Sequence, residues 1–191
     1  TGTSTYAVFV KENRGTVENC HVVNSTVSAP SGWAGGFAYN NYGGTIKNCS
    51  FSGSVTSGNN AGGIAASATS GAQFIQCRND GDIIGKTTSA SSGNYAGGIL
   101  AQETNGVTIS DCYNTGDITG YYAGGIVASR YSNVTTTVTN CHSYGATLTG
   151  TTTYPIANES ITNCYYLADS ETDSVSGTTA KTSNEFSDGT A

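Results

Sequence analysis

The stretch NYAGGIL at residues 94–100 returns as YYAGGIV at 121–127, and earlier forms of it are NNAGGIA at 59–65 and GWAGGFA at 32–38. Self-similarity at a nearly fixed period indicates a repeat architecture, in which small structural units stack on one another. A lone Gly-Gly is weak evidence of a ligand loop, and no phosphate-loop spacing such as GxxxxGK surrounds it. The repetition therefore predicts a recurring backbone shape rather than a recurring site.

One cysteine occurs in each unit, and an amide or acidic residue precedes it. The cysteines are Cys20, Cys49, Cys77, Cys112, Cys141 and Cys164, preceded by Asn19, Asn48, Gln76, Asp111, Asn140 and Asn163. Asn and Asp tolerate left-handed backbone, so we expect the chain to bend there, and stacked Asn side chains can hydrogen-bond along the stack. Stacked thiols would form an inward column of small hydrophobes. Parallel stacking at about 4.8 Å does not suit the disulfide torsion, so we expect reduced thiols, with a disulfide or a metal as the alternatives.

Period-two alternation follows most of the cysteines, as in Cys112, Asn114, Gly116 and Ile118. Such alternation is typical of a strand with one buried face. Each unit is predicted to hold three short strands: the YAGGI segment, the [VI]-x-[NQD]-C segment and the G-x-[IV]-x-G segment. Stacked in parallel, six units predict an all-β fold, a right-handed parallel β-helix of about six coils over residues 1–165. Residues 166–191 lack the repeat and are expected to be a cap or an extended tail, and an antiparallel β-sandwich is the alternative fold.

Composition restricts the function. The net charge is −6, the seven Lys and Arg are dispersed, and no basic stripe is present, so nucleic acid is not an expected partner. The apolar runs are too short to span a bilayer, and no cofactor motif is recognised. Thr-x-Thr pairs do not recur in phase, which disfavours an ice-binding face. The polar, Thr- and Asn-rich composition is associated with extracellular bacterial surfaces, and we expect the chain to be part of a larger, multidomain protein.

Two sets of side chains are candidates for a site. An aromatic residue precedes most Ala-Gly-Gly segments or their degenerate matches, and stacking would align these rings along one edge, either to bind a sugar or protein partner or to pack over the glycines. The set is Tyr6, Trp33, Tyr95, Tyr122 and Tyr154, with Asn60 at the remaining place. Asp82 and Asp117 lie at equivalent outward places and could bind Ca²⁺ or perform acid–base chemistry on a glycan, or be solvated edge residues.

The segments AGGIAA, AGGILA and AGGIVA, followed by QCRNDGDIIG, DCYNTGDITG and NCHSYGATLTG, resemble the GLUG-motif repeats of bacterial surface proteins. The resemblance covers about residues 30–165. It implies a parallel β-helix with an extracellular, non-catalytic role in an adhesin-like protein, as a stalk or as a segment that binds a glycan or a host protein. No catalytic residue belongs to the motif. The alternative function is a carbohydrate-active enzyme that uses Asp82 and Asp117.

Overall fold

The computed structural model describes residues 5–88, 93–129, 136–144, 147–158, 160–167, 177–182 and 184–185. Every strand pairing in these ranges is parallel. The predicted all-β, parallel organisation is confirmed, as in a β-helix-like solenoid, and the antiparallel sandwich is wrong. No helix within the described ranges is long and apolar enough to cross a membrane.

The strands form four sheets, which the chain visits in turn before it moves one unit along the stack. The first sheet contains Thr5–Ala7, Trp33–Gly35, Ala61–Gly62, Tyr95–Gly97, Tyr122–Gly124 and Thr152–Tyr154. The second sheet contains Val10–Asn13, Ala38–Tyr42, Ala65–Thr69 and Leu100–Thr104. The third sheet contains Thr16–Glu18, Thr45–Lys47, Gln73–Ile75, Thr108–Ser110, Thr137–Thr139 and Ser160–Thr162. The fourth sheet contains His21–Ala29, Ser50–Ser57, Arg78–Asn79, Asp82–Ile84, Tyr113–Asn114, Ile118–Thr119, His142–Ser143, Leu148–Thr149, Cys164–Leu167 and Thr178–Lys181.

The second sheet is the element that the sequence pattern does not predict. The YAGGI segment is predicted as one strand, whereas the strand ends at Gly97, the chain bends at Gly98 and Ile99, and a new strand starts at Leu100. Each of the central units therefore contributes a strand to the second sheet besides those predicted. The extra direction change follows from the glycine pair, which permits a bend that other residues would block.

Both glycines of the Ala-Gly-Gly segment lie against backbone. A Cβ added to Gly97 would be 2.0 Å from the carbonyl oxygen of Leu100, inside the same bend. A Cβ added to Gly98 would be 2.2 Å from the carbonyl oxygen of Gly125, in the next unit of the stack. The first glycine is therefore required by the bend and the second by the close approach of successive units. The motif is architectural, as its repetition predicts.

The core is a set of apolar columns inside the stack. In the third sheet the inward column runs through six strands in register: Val17, Ile46, Phe74, Ile109, Val138 and Ile161. In the first sheet, Ala34, Ala61, Ala96 and Ala123 are aligned and fully buried. Small residues there leave room for the larger side chains opposite, and burying such columns removes apolar surface from water at about 25 cal/mol per Å².

The predicted boundary at residue 165 lies inside a strand, because Cys164–Leu167 continues past it. Thr178–Lys181 pairs in parallel with that strand and extends the fourth sheet. The remaining residues of the expected cap or tail, 168–176, 183 and 186–191, lie outside the described part of the chain.

Candidate functional site

The six cysteines are free thiols, and the last five of them are buried. The amide nitrogen of Cys77 donates to Sγ of Cys112 at 3.3 Å, and the amide of Cys112 donates to Sγ of Cys141 at 3.4 Å. The amide of Cys141 donates in the same way to Cys164 at 3.3 Å. Burial raises the pKa of the Cys49 thiol to about 11, so it is a thiol at neutral pH. The column is thus packed into the interior, as small hydrophobes are.

The residue before each cysteine makes the bend that turns the third sheet into the fourth. These residues are Asn19, Asn48, Gln76, Asp111, Asn140 and Asn163, and all six have φ between 48° and 56°. Three hydrogen bonds along the stack also join five of their side chains. Asn48 Nδ2 donates to Asn19 Oδ1 at 2.7 Å, Asn163 Nδ2 donates to Asn140 Oδ1 at 2.7 Å, and Asn140 Nδ2 donates to Asp111 Oδ1 at 3.2 Å. The amide row is interrupted only at Gln76.

The aromatic residues predicted to align in the first sheet do so in part. Trp33, Tyr95 and Tyr122 occupy one register position, which Asn60 shares. Tyr6 pairs with Ala34 and is therefore one residue out of step, and Tyr154 pairs with Gly124, two residues out of step. The predicted alignment is wrong at both ends because the degenerate segments TYAVFV and TYPIAN fit the stack in a different register from the Ala-Gly-Gly copies.

Tyr95 and Tyr122 are packed against protein rather than presented to a ligand. Their ring centroids are 5.1 Å apart, and together with Ala101 and Ala128 they form a small apolar cluster outside the main core. Tyr95 is 7% exposed. The cluster fills the outer angle between the first and second sheets, and a binding role for this set stays a prediction.

Asp82 and Asp117 are stacked, as their equivalent positions predict, and both are exposed. Asp82 Oδ1 accepts from the amide of Asp117 at 3.3 Å, and Asp117 Oδ1 accepts from the amide of Thr147 at 2.7 Å. The carboxylates thus join successive units of the stack. In the described ranges no group of three or more His, Cys, Asp and Glu side chains is arranged to hold a metal ion.

A more continuous feature lies on the outer face of the fourth sheet, at the position directly after each cysteine. We call this column the outer ladder, and its members are His21, Ser50, Arg78, Tyr113, His142 and Tyr165. Each pairs in register with the next, so the inward cysteine column has an outward counterpart one residue later.

The side chains of the outer ladder contact one another along the stack. Nδ1 of His21 lies 2.8 Å from Oγ of Ser50. The guanidinium carbon of Arg78 is 5.2 Å from the centre of the Tyr113 ring, and that ring stacks on His142 with centroids 5.0 Å apart and planes 5° from parallel. Lys181 Nζ lies 5.6 Å from the ring centre of Tyr165. Partial burial lowers the pKa of His142, so the imidazole favours its neutral form.

A cleft of about 280 Å³ opens beside the outer ladder. Its lining residues are His21, Asn48, Cys49, Ser50, Gln76, Arg78 and Tyr113. The cleft forms where two interruptions coincide, since Ser50 is the smallest member of the outer ladder and Gln76 interrupts the amide row. The exposed Gln76 side chain makes no hydrogen bond among the described residues, so its amide is available to a ligand.

Because side chains alternate along a strand, His21 and His142, each directly after an inward cysteine, are expected to point outward, but this does not predict the outer ladder. The sequence feature that could have predicted the outer ladder is the residue directly after each cysteine. Read down the chain, that position is His, Ser, Arg, Tyr, His and Tyr, which shares no single chemistry, so only stacking reveals it as one surface.

Comparison with known proteins supports the fold. A crystal structure of a Bacteroides ovatus protein, described as a "putative immunoglobulin A1 protease", is similar to this chain with a TM-score of 0.75 and 24% sequence identity. The match covers 95% of this chain and 68% of that one. No family model and no curated protein matches the chain. At this identity, the likeness shows a shared fold alone.

Proposed function

We propose that this chain is a non-catalytic, extracellular module of a bacterial adhesin-like surface protein that binds a glycan on its outer ladder. Within this proposal the fold is a right-handed parallel β-helix of six coils, and its repeats are of the GLUG-motif type. The single observation that carries the binding role is the outer ladder, where stacked rings at Tyr113 and His142 adjoin a polar cleft.

The chemistry of this face suits a sugar. The Tyr113 ring stacks on His142 and faces the Arg78 guanidinium, so its edge borders the cleft and can contact the C–H groups of a pyranose. The amides of Asn48 and Gln76 and the hydroxyl of Ser50 supply the donors and acceptors that sugar hydroxyls need. A volume of about 280 Å³ is just below the roughly 300–1,000 Å³ of small-molecule sites, so the cleft suits about one monosaccharide.

The backbone hydrogen bonding between successive units suits a stalk or a binding segment. Backbone hydrogen bonds between successive units, such as Tyr113 N to Cys77 O at 3.0 Å and His142 N to Cys112 O at 3.1 Å, hold the outer ladder on a continuous sheet. A rigid support lowers the entropy that binding must overcome, because the side chains are already aligned.

A glycan array probed with the whole chain tests the proposal, followed by titration calorimetry on the sugars retained. Tyr113→Ala should weaken binding at least about fivefold, which corresponds to about 1 kcal/mol. Tyr42→Ala is the matched control, because Tyr42 is also a surface tyrosine beneath an arginine, with Arg14 at 4.1 Å, but lies on the second sheet. The Tyr42→Ala variant should bind the retained sugars as tightly as the wild-type chain does.

The glycans retained on the array also test the proposal that the chain is not an enzyme. Reducing-sugar and unsaturated-product assays on the retained glycans should show no turnover. Immunoglobulin A1, the substrate in the name of the Bacteroides ovatus protein, should stay intact after incubation with the chain. Turnover abolished by Asp117→Asn would contradict the proposal in favour of a carbohydrate-active enzyme, and an absence of any bound glycan would contradict the binding role.

A further inference from the structure

One of the chain's few cationic side chains, Arg78, lies in the outer ladder. The chain is acidic overall, with seven Lys and Arg dispersed along it, two His and a net charge of −6. Both histidines are also members of the outer ladder, and Lys181, which pairs with Glu185, lies over the ring of Tyr165. Arginine is the side chain at this face best suited to bind an anionic ligand.

Arg78 is the cation that lines the cleft. Its Nε forms an ion pair with Asp80, and its guanidinium lies over Tyr113. This arrangement holds the guanidinium plane in one orientation and leaves its two terminal nitrogens outside that ion pair. A planar guanidinium held in this way matches a planar carboxylate with two parallel hydrogen bonds.

The acidic groups near the cleft have partners of their own. Asp80 accepts from Thr115 Oγ1 at 2.7 Å in addition to its ion pair, and Asp111 accepts from Asn140. Gln76 and His21 also line the cleft, and each carries a group able to donate a hydrogen bond to a ligand.

Building on the proposed function, we propose that the cleft beside Arg78 recognises the carboxylate of an acidic sugar, such as a uronic or sialic acid. Arg78 would bind the carboxylate, Gln76 and His21 would donate to its oxygens or to neighbouring hydroxyls, and Tyr113 would support the ring. The module would then distinguish acidic glycans from neutral ones of the same size.

Titration calorimetry with matched sugars tests this specificity. The probes are tri-galacturonate with its neutral methyl ester, sialyllactose with lactose, and a sulfated galactose oligosaccharide. We expect at least one acidic sugar to bind about tenfold more tightly than its neutral counterpart, the difference expected for a charge-assisted hydrogen bond. Arg78→Gln should abolish that preference.

Two further variants separate recognition from general charge effects. Arg14→Gln is the matched control, because Arg14 also pairs with a carboxylate, Glu12 at 2.7 Å, and also lies over a tyrosine, yet it is outside the outer ladder. It should leave the preference intact. Asp80→Asn removes the competing carboxylate beside Arg78 and should tighten binding of the acidic sugar several-fold without changing that of the neutral one.

The outcomes distinguish this inference from the proposed function. Equal binding of acidic and neutral sugars, lost in Tyr113→Ala, would overturn the acidic specificity and leave the glycan-binding role standing. Tighter binding of the sulfated probe than of any carboxylate would also overturn it. Failure of every glycan to bind would overturn both.

Discussion

The imidazole of His142 lies flat against the ring of Tyr113, with centroids 5.0 Å apart and planes 5° from parallel. The two residues are 29 positions apart in the chain and meet because the strands Tyr113–Asn114 and His142–Ser143 pair in register. Parallel stacking thus converts an irregular sequence position into a continuous surface. It also places a titratable ring in a partly buried stack, with consequences for stability.

The pKa of His142 is lowered, chiefly by burial. The unfolded chain binds a proton near its usual pKa of 6.5, whereas the folded chain binds it only at lower pH. As the pH falls through 6.5, the unfolded state takes up more protons, so the free energy of unfolding decreases until the folded pKa is passed. Urea unfolding followed by circular dichroism, at several pH values between about 7.5 and 4.5, should show this decrease.

His142→Phe keeps a ring in the stack and should remove the part of the decrease that His142 causes. His21→Phe, which removes the other histidine from the exposed end of the outer ladder, is the control. It should retain the decrease in the free energy of unfolding that His142 causes. An identical pH dependence in the wild-type chain and in His142→Phe would refute the assignment.

Gly98→Ala should destabilise the fold strongly, because the added Cβ would be 2.2 Å from the carbonyl oxygen of Gly125 and 2.6 Å from Cγ of Asn114. Neither atom can move without shifting the next unit, so we expect a loss of at least about 2 kcal/mol in chemical denaturation. Gly15→Ala is the control, since a Cβ there meets no atom within 4 Å, and its stability should change by less than about 1 kcal/mol. Comparable losses in the two variants would contradict the crowding argument.

The thiols should react in two classes. Cys20 is partly exposed, whereas the other five are buried, and burial raises the pKa of Cys49 to about 11. Because burial keeps a reagent from the other five, only Cys20 should react readily with a thiol reagent in the native protein. All six should react after denaturation without reductant. A total below six would reveal disulfides and contradict the reduced column.

Tyr95→Ala should lower stability rather than binding. The ring is 7% exposed and packs on Tyr122 and the adjacent alanines, so its removal leaves a cavity that should cost about 2–4 kcal/mol. Tyr6→Ala, whose ring is 44% exposed and out of register, should cost less than about 1 kcal/mol. Loss of glycan affinity in Tyr95→Ala at unchanged stability would instead support the aromatic edge as the binding face.

Much of the architecture could be predicted from the sequence. The recurring Ala-Gly-Gly, the single cysteine in each unit and the period-two alternation indicate parallel strands stacked in register, and the structure has them. These features are predictable because they are local, since each unit repeats the same backbone requirement at the same place. The second sheet was missed because its strand follows the glycine bend directly, and no pattern in YAGGIL separates a bend from a continuing strand.

The candidate site was largely hidden. A column is visible in the sequence only when its members share a chemistry, as the cysteines do, and the outer ladder mixes imidazole, hydroxyl, guanidinium and phenol groups. The strand register at the two ends of the first sheet also could not be predicted from the sequence. Tyr6 and Tyr154 look equivalent to Trp33 in a linear alignment, but the hydrogen bonds of the stack displace them by one and two residues.

The sequence by itself therefore determined the repeat, the parallel β-strands, the inward cysteines and the places where glycine is obligatory, because these depend on the backbone of a single unit. The tertiary structure decided which outward side chains become neighbours. Arg78, Tyr113 and His142 lie about thirty residues apart along the chain yet form one face, because parallel pairing brings equivalent positions to about 4.8 Å. The cleft beside them exists only where a small residue, Ser50, and an interruption of the amide row, at Gln76, fall in successive units of the stack.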